Sequence, residues 1–158
     1  MEKNKILDGL RGSPAILREL IFSVPEGRRK ERRIPGKWSA HEHACHMAKA
    51  QAMLNERARR FLTEEKPVFV PYFPGKTTDA DELLRADLHQ SLNTFEKLRV
   101  DFVNLLGQLK DADWQKRAEH PEYDNYTPYL MARHVLLHDF THMYRIEELW
   151  LTRDLPHK

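Results

Sequence analysis

The sequence has little cysteine, no long apolar run and almost no net charge. Cys45 is the single cysteine among 158 residues, so no internal disulfide is possible, and we expect a reducing compartment, the cytoplasm. No apolar run approaches the ~20 residues that a membrane-spanning helix needs, and the amino terminus lacks the apolar stretch of a secretory signal. Because 26 Lys+Arg are balanced by 24 Asp+Glu, we expect no nucleic acid as a partner, and because no long apolar run is present, we expect no membrane.

The composition is that of a folded chain, and its prolines mark out the helices. Hydrophobic residues make up 41% of the chain and aromatic residues 9%, which excludes a disordered protein and favours one domain over residues 1–158. Proline is absent from three windows, residues 36–66, 75–120 and 129–155. Since a proline inside a helix costs ~3 kcal/mol, these windows can hold long helices, and each shows apolar residues at spacings of three and four.

These patterns predict an all-α protein that forms a four-helix bundle. The first helix is expected over residues 6–24, with a break and restart at Ser13-Pro14, an N-cap followed by a first-turn proline. The second begins at the capping box of residues 39–42, the third covers residues 79–109, and the fourth covers residues 127–151. The connections are long for simple antiparallel neighbours, so we expect at least one crossover, and the apolar, proline-rich residues 64–78 suit a segment that lies across the bundle.

Two histidines of the fourth predicted helix lie on its apolar face. His138 and His142 are one turn apart, inside the stripe that contains Met131 and Val135. Two imidazoles at i and i+4 point the same way, which is the spacing by which a helix offers two ligands to one metal ion. The alternative interpretation is a pair of core histidines that are hydrogen-bonded to backbone or side chains.

Spacing alone leaves the third ligand on the second predicted helix open. His43 lies nearest the centre of the apolar stripe of that helix, and His46 lies to one side of it. His41 and Cys45 form another i, i+4 pair, which could complete a closed structural site together with the two histidines of the fourth helix. A set of three histidines would instead leave a position open for water and substrate, which is the catalytic pattern.

Two segments together resemble the DinB superfamily, the DinB/YfiT-like metalloenzymes. The entry to the second helix has a Trp-Ser pair at Trp38, an acidic residue four positions later at Glu42, and a histidine eight positions later at His46. Residues 120–127 and the His-x-x-x-His pair, followed four residues later by Ile146, look like the final loop and helix of the family. The likeness extends from residue 10 to about residue 149.

The resemblance implies a site, a fold and a range of activities. It implies that His46, His138 and His142 bind one divalent metal ion, such as zinc, nickel or iron, and it implies a four-helix bundle with a long crossover between the second and third helices. Members include enzymes that join a low-molecular-weight thiol to an electrophile, and many associate as homodimers. The resemblance therefore favours an enzyme that activates a thiol co-substrate (a thiol S-transferase) or water (a hydrolase) for attack on a small-molecule substrate.

The residues fit that chemistry without a protein nucleophile. A divalent ion held by three neutral imidazoles lowers the pKa of a water or thiol at its open position, and no convincing Ser/His/Asp or Cys/His arrangement is visible, so no catalytic side chain is assigned. One competing hypothesis is a non-catalytic bundle that binds metal or a small ligand in a stress response. Another is an interaction module that uses a second apolar stripe of the fourth helix, formed by Leu136, Phe140, Met143 and Trp150.

The remaining candidates near the site are expected to have structural roles first. Glu42 is the capping-box partner of Ser39, and Cys45 is expected to be a small buried side chain. We expect His41 and His43 to be first-turn surface or loop-contact residues and His134 to be a packing residue.

Two further residues, His120 and Arg145, have either a functional or a structural role. His120 precedes Pro121 in a loop that could overhang the site, and Arg145 lies on the His142 side of its helix, where it could meet an anionic co-substrate or reach solvent. The basic run of residues 28–33 is expected to be a solvated loop.

Overall fold

A computed structural model gives the structure of residues 1–71 and 79–152, and the fold it describes is helical. In chain order the helices are α1 (Lys3–Ser23), α2 (Glu26–Arg29), α3 (Ala40–Thr63), α4 (Glu82–Arg85), α5 (Leu88–Gly107), a 3-10 helix (Asp111–Gln115) and α6 (Pro128–Leu151). The four long helices α1, α3, α5 and α6 form the bundle, so the predicted all-α fold is confirmed. The described residues contain two isolated β-bridges and no β-strand.

The predicted starts of α3 and α6 agree with the caps that the structure shows. Ser39 accepts a hydrogen bond from the Glu42 backbone N–H, and the Glu42 carboxylate accepts one from the Ser39 N–H, which is the expected capping box. Thr127 caps α6 by accepting from the Leu130 N–H, and Pro128 occupies the first turn. Both caps satisfy backbone donors that a helix start leaves without an intrahelical partner.

The long helices pack in an order that differs from their order along the chain. α1 packs beside α5 and α6, and α3 packs beside the same two helices. α1 and α6 are parallel, because Met1 contacts Tyr129 near the start of both helices and Ser13 contacts Asp139 near the middle of both. α3 and α6 are antiparallel, since His43 near the start of α3 contacts His142 in the second half of α6.

A long crossover joins α3 to α5, as the resemblance implies. His41 contacts Ala86, just before α5, and Gln51 contacts Arg99 in the middle of α5, so the two helices run in the same direction. Parallel neighbours cannot be joined by a tight turn, and the chain between them must return along the length of the bundle. The crossover extends from the end of α3 to the start of α5.

The first part of the crossover lies across the end of the bundle. Phe69 is buried, and its ring packs against Phe61 and Tyr126 at centroid distances of 5.3 and 5.7 Å. Its backbone N–H donates to the Glu119 carbonyl at 2.8 Å, and the Glu119 N–H donates to the Pro67 carbonyl at 2.9 Å. The part of the predicted segment over residues 72–78 lies outside the described residues.

The predicted break at Ser13-Pro14 is wrong, because α1 continues through Pro14. Proline has no N–H to donate to the carbonyl four residues earlier, which here is that of Leu10. That carbonyl instead accepts from the Ser13 hydroxyl at 3.3 Å and from the Arg99 guanidinium at 3.2 Å. Side chains thus replace the missing backbone hydrogen bond, and the helix does not need to end.

The third long helix starts later than predicted. Residues 79–87 hold the one-turn helix α4, and α5 begins at Leu88 after Asp87, whose carboxylate accepts from the Gln90 N–H at 2.7 Å. Ala86 is extended, with φ −61° and ψ 147°, and this separates the two helices. The apolar spacing that continues through this region does not show the interruption.

A layer of buried polar side chains divides the core into two apolar clusters. Arg99 of α5, 1% exposed, donates to both oxygens of Asp139 on α6, at 2.5 and 3.0 Å. Ser13 of α1 donates to the same carboxylate, and Gln51 of α3 accepts from the Arg99 Nε at 2.8 Å. Each long helix therefore contributes one side chain to the layer, with an apolar cluster on either side of it.

The basic run of residues 28–33 is more than a solvated loop, contrary to expectation. Arg29 donates to the Val24 carbonyl at the end of α1, and Arg33 donates to the Leu149 and Thr152 carbonyls at the end of α6. Arg32 forms ion pairs with Glu42 and Asp81. Cations at helix carboxyl ends are favourable because they satisfy free carbonyls and oppose the helix dipole.

The predicted second apolar stripe of α6 lies mostly inside the bundle. Leu136 and Met143 are buried, Trp150 is half-buried, and Phe140 is 46% exposed. The close approach of Leu136 to Gly9 of α1 shows where part of the stripe packs. Among the described residues, no helix is both long enough and apolar enough to cross a membrane.

Candidate metal centre

Three histidines from two antiparallel helices meet near one end of the polar layer. His46 lies in the second turn of α3, and His138 and His142 lie one turn apart in α6. The Nε2 atom of His138 is 3.3 Å from Nε2 of His46 and 3.0 Å from Nε2 of His142. One ring nitrogen from each histidine lies within 4.8 Å of the other two. The structure therefore brings together the three residues that the resemblance selects, and their role as metal ligands stays a prediction.

The spacing of the three nitrogens is that of a chelating set. Imidazole nitrogens bind zinc at ~2.0–2.1 Å, and two of them at a tetrahedral angle are then ~3.4 Å apart. Two of the three separations, 3.0 and 3.3 Å, are close to this value, and the nitrogens of His46 and His142 lie within 4.8 Å of each other. Two nitrogens in such contact cannot both carry a proton, so at least one nitrogen of each contact presents a lone pair that a cation can bind.

Burial keeps two imidazoles of the cluster, those of His46 and His142, neutral. Burial, together with the neighbouring His138 and His43, lowers the pKa of His46 to about 3. Burial and the neighbouring His138, His46 and His43 lower the pKa of His142 to about 2. Neutral imidazole is the form that binds a metal ion, so the electrostatics of the site favour ligation at neutral pH.

His43 contacts the cluster, contrary to the expectation that it is a surface or loop-contact residue. Its Nδ1 atom lies 2.8 Å from Nδ1 of His142. When the unprotonated Nε2 of His142 faces the cluster, the proton of this imidazole is on Nδ1. The Nδ1–H then donates a hydrogen bond to His43. Such a hydrogen bond fixes the tautomer and the orientation of a ligating histidine. The position of His43 nearest the centre of the apolar stripe was the signal that it faces the bundle.

Trp38 covers the cluster on one side. Its ring centroid lies 4.8 Å from that of His46, 5.5 Å from that of His43 and 6.1 Å from that of His142. Trp38 precedes the Ser39 cap, so the capping box of α3 also positions this ring. An apolar cover of this kind keeps bulk water away from the imidazoles on that side.

Asp139 lies next to the cluster and was not singled out from the sequence. Its Oδ1 atom is 4.0 Å from Nδ1 of His138, too far for a direct hydrogen bond but close enough for its charge to orient an N–H. Burial would raise the pKa of Asp139, but the neighbouring His138, Arg99 and Ser13 together lower it. The polar layer thus supplies a fixed negative charge beside one ligand.

The closed four-ligand set that includes His41 and Cys45 is not assembled. His41 is buried against the start of α5, with Nε2 3.0 Å from the Ala86 carbonyl and 3.5 Å from Cys45 Sγ. Cys45 is also buried, as expected, and burial raises the pKa of its thiol. Among residues 1–71 and 79–152, the group of His, Cys, Asp and Glu close enough to share an ion is the three-histidine cluster.

A cavity of about 180 Å³ opens beside His46 and His138. Its walls include His120, Tyr123, Tyr126, His134 and Arg57. The His120 ring lies 4.8 Å from Tyr123 and 4.9 Å from Tyr126, and its Nδ1 accepts from the Glu122 N–H at 3.2 Å, which places its proton on Nε2. The loop therefore lies over the site, as its position suggested. His134 is exposed and lines this cavity, and its ring packs edge-on against Tyr123 at 6.1 Å, so its packing contact is with the loop and not in the core.

A second and larger cavity, of about 610 Å³, lies beyond His142. Lys37, Trp38, His43 and Arg145 line it. Arg145 is exposed and forms an ion pair with Glu148 at 2.5 Å. The structure thus places Arg145 on the His142 side, as expected, with its charge already paired.

Comparisons with known proteins place the fold. The model of the DinB superfamily matches residues 10–146 of the chain. A solved structure, YfiT from Bacillus subtilis, is similar over 94% of this chain and 87% of its own, with 23% sequence identity and a TM-score of 0.82. YfiT is described as "a probable metal-dependent hydrolase with an unusual four-helix bundle topology". A search of curated proteins found no significant match.

Proposed function

The chain belongs to the DinB superfamily, and from this premise we propose that it is a metal-dependent enzyme in which His46, His138 and His142 hold one divalent ion. The observation that carries the proposal is the convergence of three Nε2 atoms, at 3.0 and 3.3 Å, beside a cavity. Such a set suits a cation, because the ring nitrogens of three histidines converge and imidazole nitrogen is a common ligand of divalent metals.

The number of ligands favours a catalytic site over a structural one. Structural zinc sites are closed by four protein ligands, whereas catalytic sites have three and an open position. No fourth His, Cys, Asp or Glu of the described residues joins the cluster. The cavity beside His46 and His138 gives a small molecule access to that position.

The side chains around the cluster would orient the metal ligands and supply a hydrogen-bond donor to the substrate. A divalent ion, when bound, supplies Lewis acidity and lowers the pKa of a water or thiol for attack on an electrophile. His43 holds the ring of His142, Asp139 supplies negative charge near His138, and Trp38 excludes water on one side. The Nε2–H of His120, fixed by the backbone of residue 122, is a donor on the cavity wall for an oxygen that gains negative charge.

Hydrolysis is the activity that we propose first. The attacking water fits in the 180 Å³ cavity together with a small substrate. The description of YfiT as a probable metal-dependent hydrolase supports this choice for a chain of the same fold.

Thiol S-transfer is the second candidate, and one observation favours it. The 610 Å³ cavity on the His142 side has room for a second reactant, and Lys37 on its wall is a cation that could meet an acidic thiol compound. A transferase would use both cavities, whereas a hydrolase needs the smaller one.

The first experiment measures metal content by mass spectrometry in the purified wild type and in His138→Ala and His142→Ala. His134→Ala is the matched control, since it lies one turn from His138 on the same helix, outside the cluster. We expect about one equivalent of metal in the wild type and the control and under ~0.2 in the two ligand variants. Equal metal content in all four proteins would contradict the proposal.

The second experiment separates the activities. Metal-loaded protein is incubated with activated esters and amides, with and without glutathione or cysteine, and turnover is compared after chelation. Turnover without thiol supports a hydrolase, and turnover that requires thiol supports a transferase. Metal binding without turnover in either panel supports the competing hypothesis of a non-catalytic metal-binding bundle.

A further inference from the structure

The cavity beside the cluster has a cationic side chain at its far end. His46 and Arg57 both line it and both lie on α3, 11 residues apart. At 1.5 Å per residue they are ~16 Å apart along the axis, and at 100° per residue they face within ~20° of each other. Ala50 lies between them on the same wall, and its small side chain leaves the space open.

Among the residues that the structure describes, the guanidinium of Arg57 has no carboxylate partner. It donates to the Tyr126 hydroxyl at 3.1 Å and to the Val70 carbonyl at 2.8 Å, and it lies over the ring of Phe69 at 5.3 Å. No carboxylate within residues 1–71 and 79–152 forms an ion pair with it. Arg60, one turn later, also donates to a crossover carbonyl and lies over Phe69, but it forms an ion pair with Glu64.

The positive charge of Arg57 reaches the other walls of the cavity. Burial is the largest cause that lowers the pKa of His120, and the charge of Arg57 is the second. Burial, His138 and Arg57 lower the pKa of His134. Burial raises the pKa of Tyr126, so its hydroxyl keeps a proton while it accepts from Arg57. The far end of the cavity is therefore rich in donors and positive charge, and the exposed Glu122 is its one acidic residue.

We propose that this cavity takes a small substrate with one carboxylate, which binds Arg57 and Tyr126 while the reacting group lies at the three histidines. One unpaired guanidinium matches one negative charge, and its planar donors fit a carboxylate. The volume of about 180 Å³ is below the ~300–1,000 Å³ of drug-sized sites, which suits a small substrate. This inference rests on the proposed function, because the metal holds the other end of the ligand.

The test uses inhibitors that bind a metal at one end. Zinc-loaded protein is titrated with the monohydroxamates of succinic, adipic and suberic acid, and with alkyl hydroxamates of the same lengths that end in methyl. The same titrations are run on Arg57→Gln and on Arg60→Gln. Arg60→Gln is the matched control, since both arginines lie over Phe69 and donate to the crossover, and Arg60 does not line the cavity.

We expect one carboxylate-ended hydroxamate to bind at least about tenfold more tightly than its methyl-ended counterpart, because a charge-assisted hydrogen bond is added. This preference is lost in Arg57→Gln and is kept in Arg60→Gln. If the methyl-ended compounds bind and a terminal carboxylate adds nothing at any length, the inference is overturned and the metal site stands. If neither series binds the zinc-loaded protein, the proposed function fails and this inference fails with it.

Discussion

The contact between His43 and His142 gives the sharpest test of how this site is built. Nδ1 of His43 lies 2.8 Å from Nδ1 of His142, so it accepts a hydrogen bond from the Nδ1–H of a His142 that binds metal through Nε2. We expect His43→Leu, which removes the acceptor, to weaken zinc binding by about 10–100-fold, the usual effect of losing a partner that orients a ligand. His43→Asn restores an acceptor oxygen near the position of Nδ1, and we expect it to stay within about threefold of the wild type.

The assay is competition with a chromophoric zinc chelator at pH 7.5, where His43 is neutral because burial and the charge of Arg145 lower its pKa to about 4. Thermal unfolding of the metal-free proteins shows whether either substitution changes the stability of the fold. Equal zinc affinity in His43→Leu and the wild type would refute the role of His43. An equal loss in both variants, with unchanged stability, would show that the acceptor atom is not what matters.

Three further predictions address the fold and the assembly. Asp139→Ala leaves Arg99 buried without its carboxylate partner, and we expect a loss of about 3–5 kcal/mol in urea unfolding, against under ~1 kcal/mol for Asp8→Ala at the exposed pair with Arg11. In the metal-free protein His46 and His142 have lowered pKa values, so the unfolded state binds more protons below pH ~6.5. Stability should therefore fall as the pH drops from 7 to 5, by up to ~1.4 kcal/mol per unit for each of the two, and a flat urea midpoint over this range would contradict it. We expect light scattering at about 100 μM to show the homodimer that the resemblance implies, and a strict monomer would exclude it.

The sequence predicted the elements of the fold where local chemistry decides them. The Ser39 and Thr127 caps are read from two or three residues, and the structure places both helices as expected. The break predicted at Pro14 was wrong because two side chains replace the missing hydrogen bond, the neighbouring Ser13 and Arg99, which is 89 residues from Leu10. No local pattern reports a partner that is so distant in sequence.

In the candidate site, too, the sequence predicted what depends on one helix and not what depends on contacts between helices. The spacing of His138 and His142 shows that they share one face of α6, and this needs no other helix. The choice of His46 over His43 came from the resemblance, because periodicity sets the direction of a side chain but not which side chain of the opposite helix it meets. The pairing of His43 with His142, and of Arg99 with Asp139, depends on how far two helices slide along each other.

The order in which the helices pack also constrains how the chain reaches its native state. α1 and α3 scarcely touch, α5 and α6 scarcely touch, and α3 and α5 are parallel, so no two successive long helices form a helical hairpin. Every extensive contact between long helices therefore requires a long loop to close, which costs conformational entropy before the contact contributes to stability. A high contact order results, and this chain should fold more slowly than an up-and-down bundle of equal length, with no half of it stable alone.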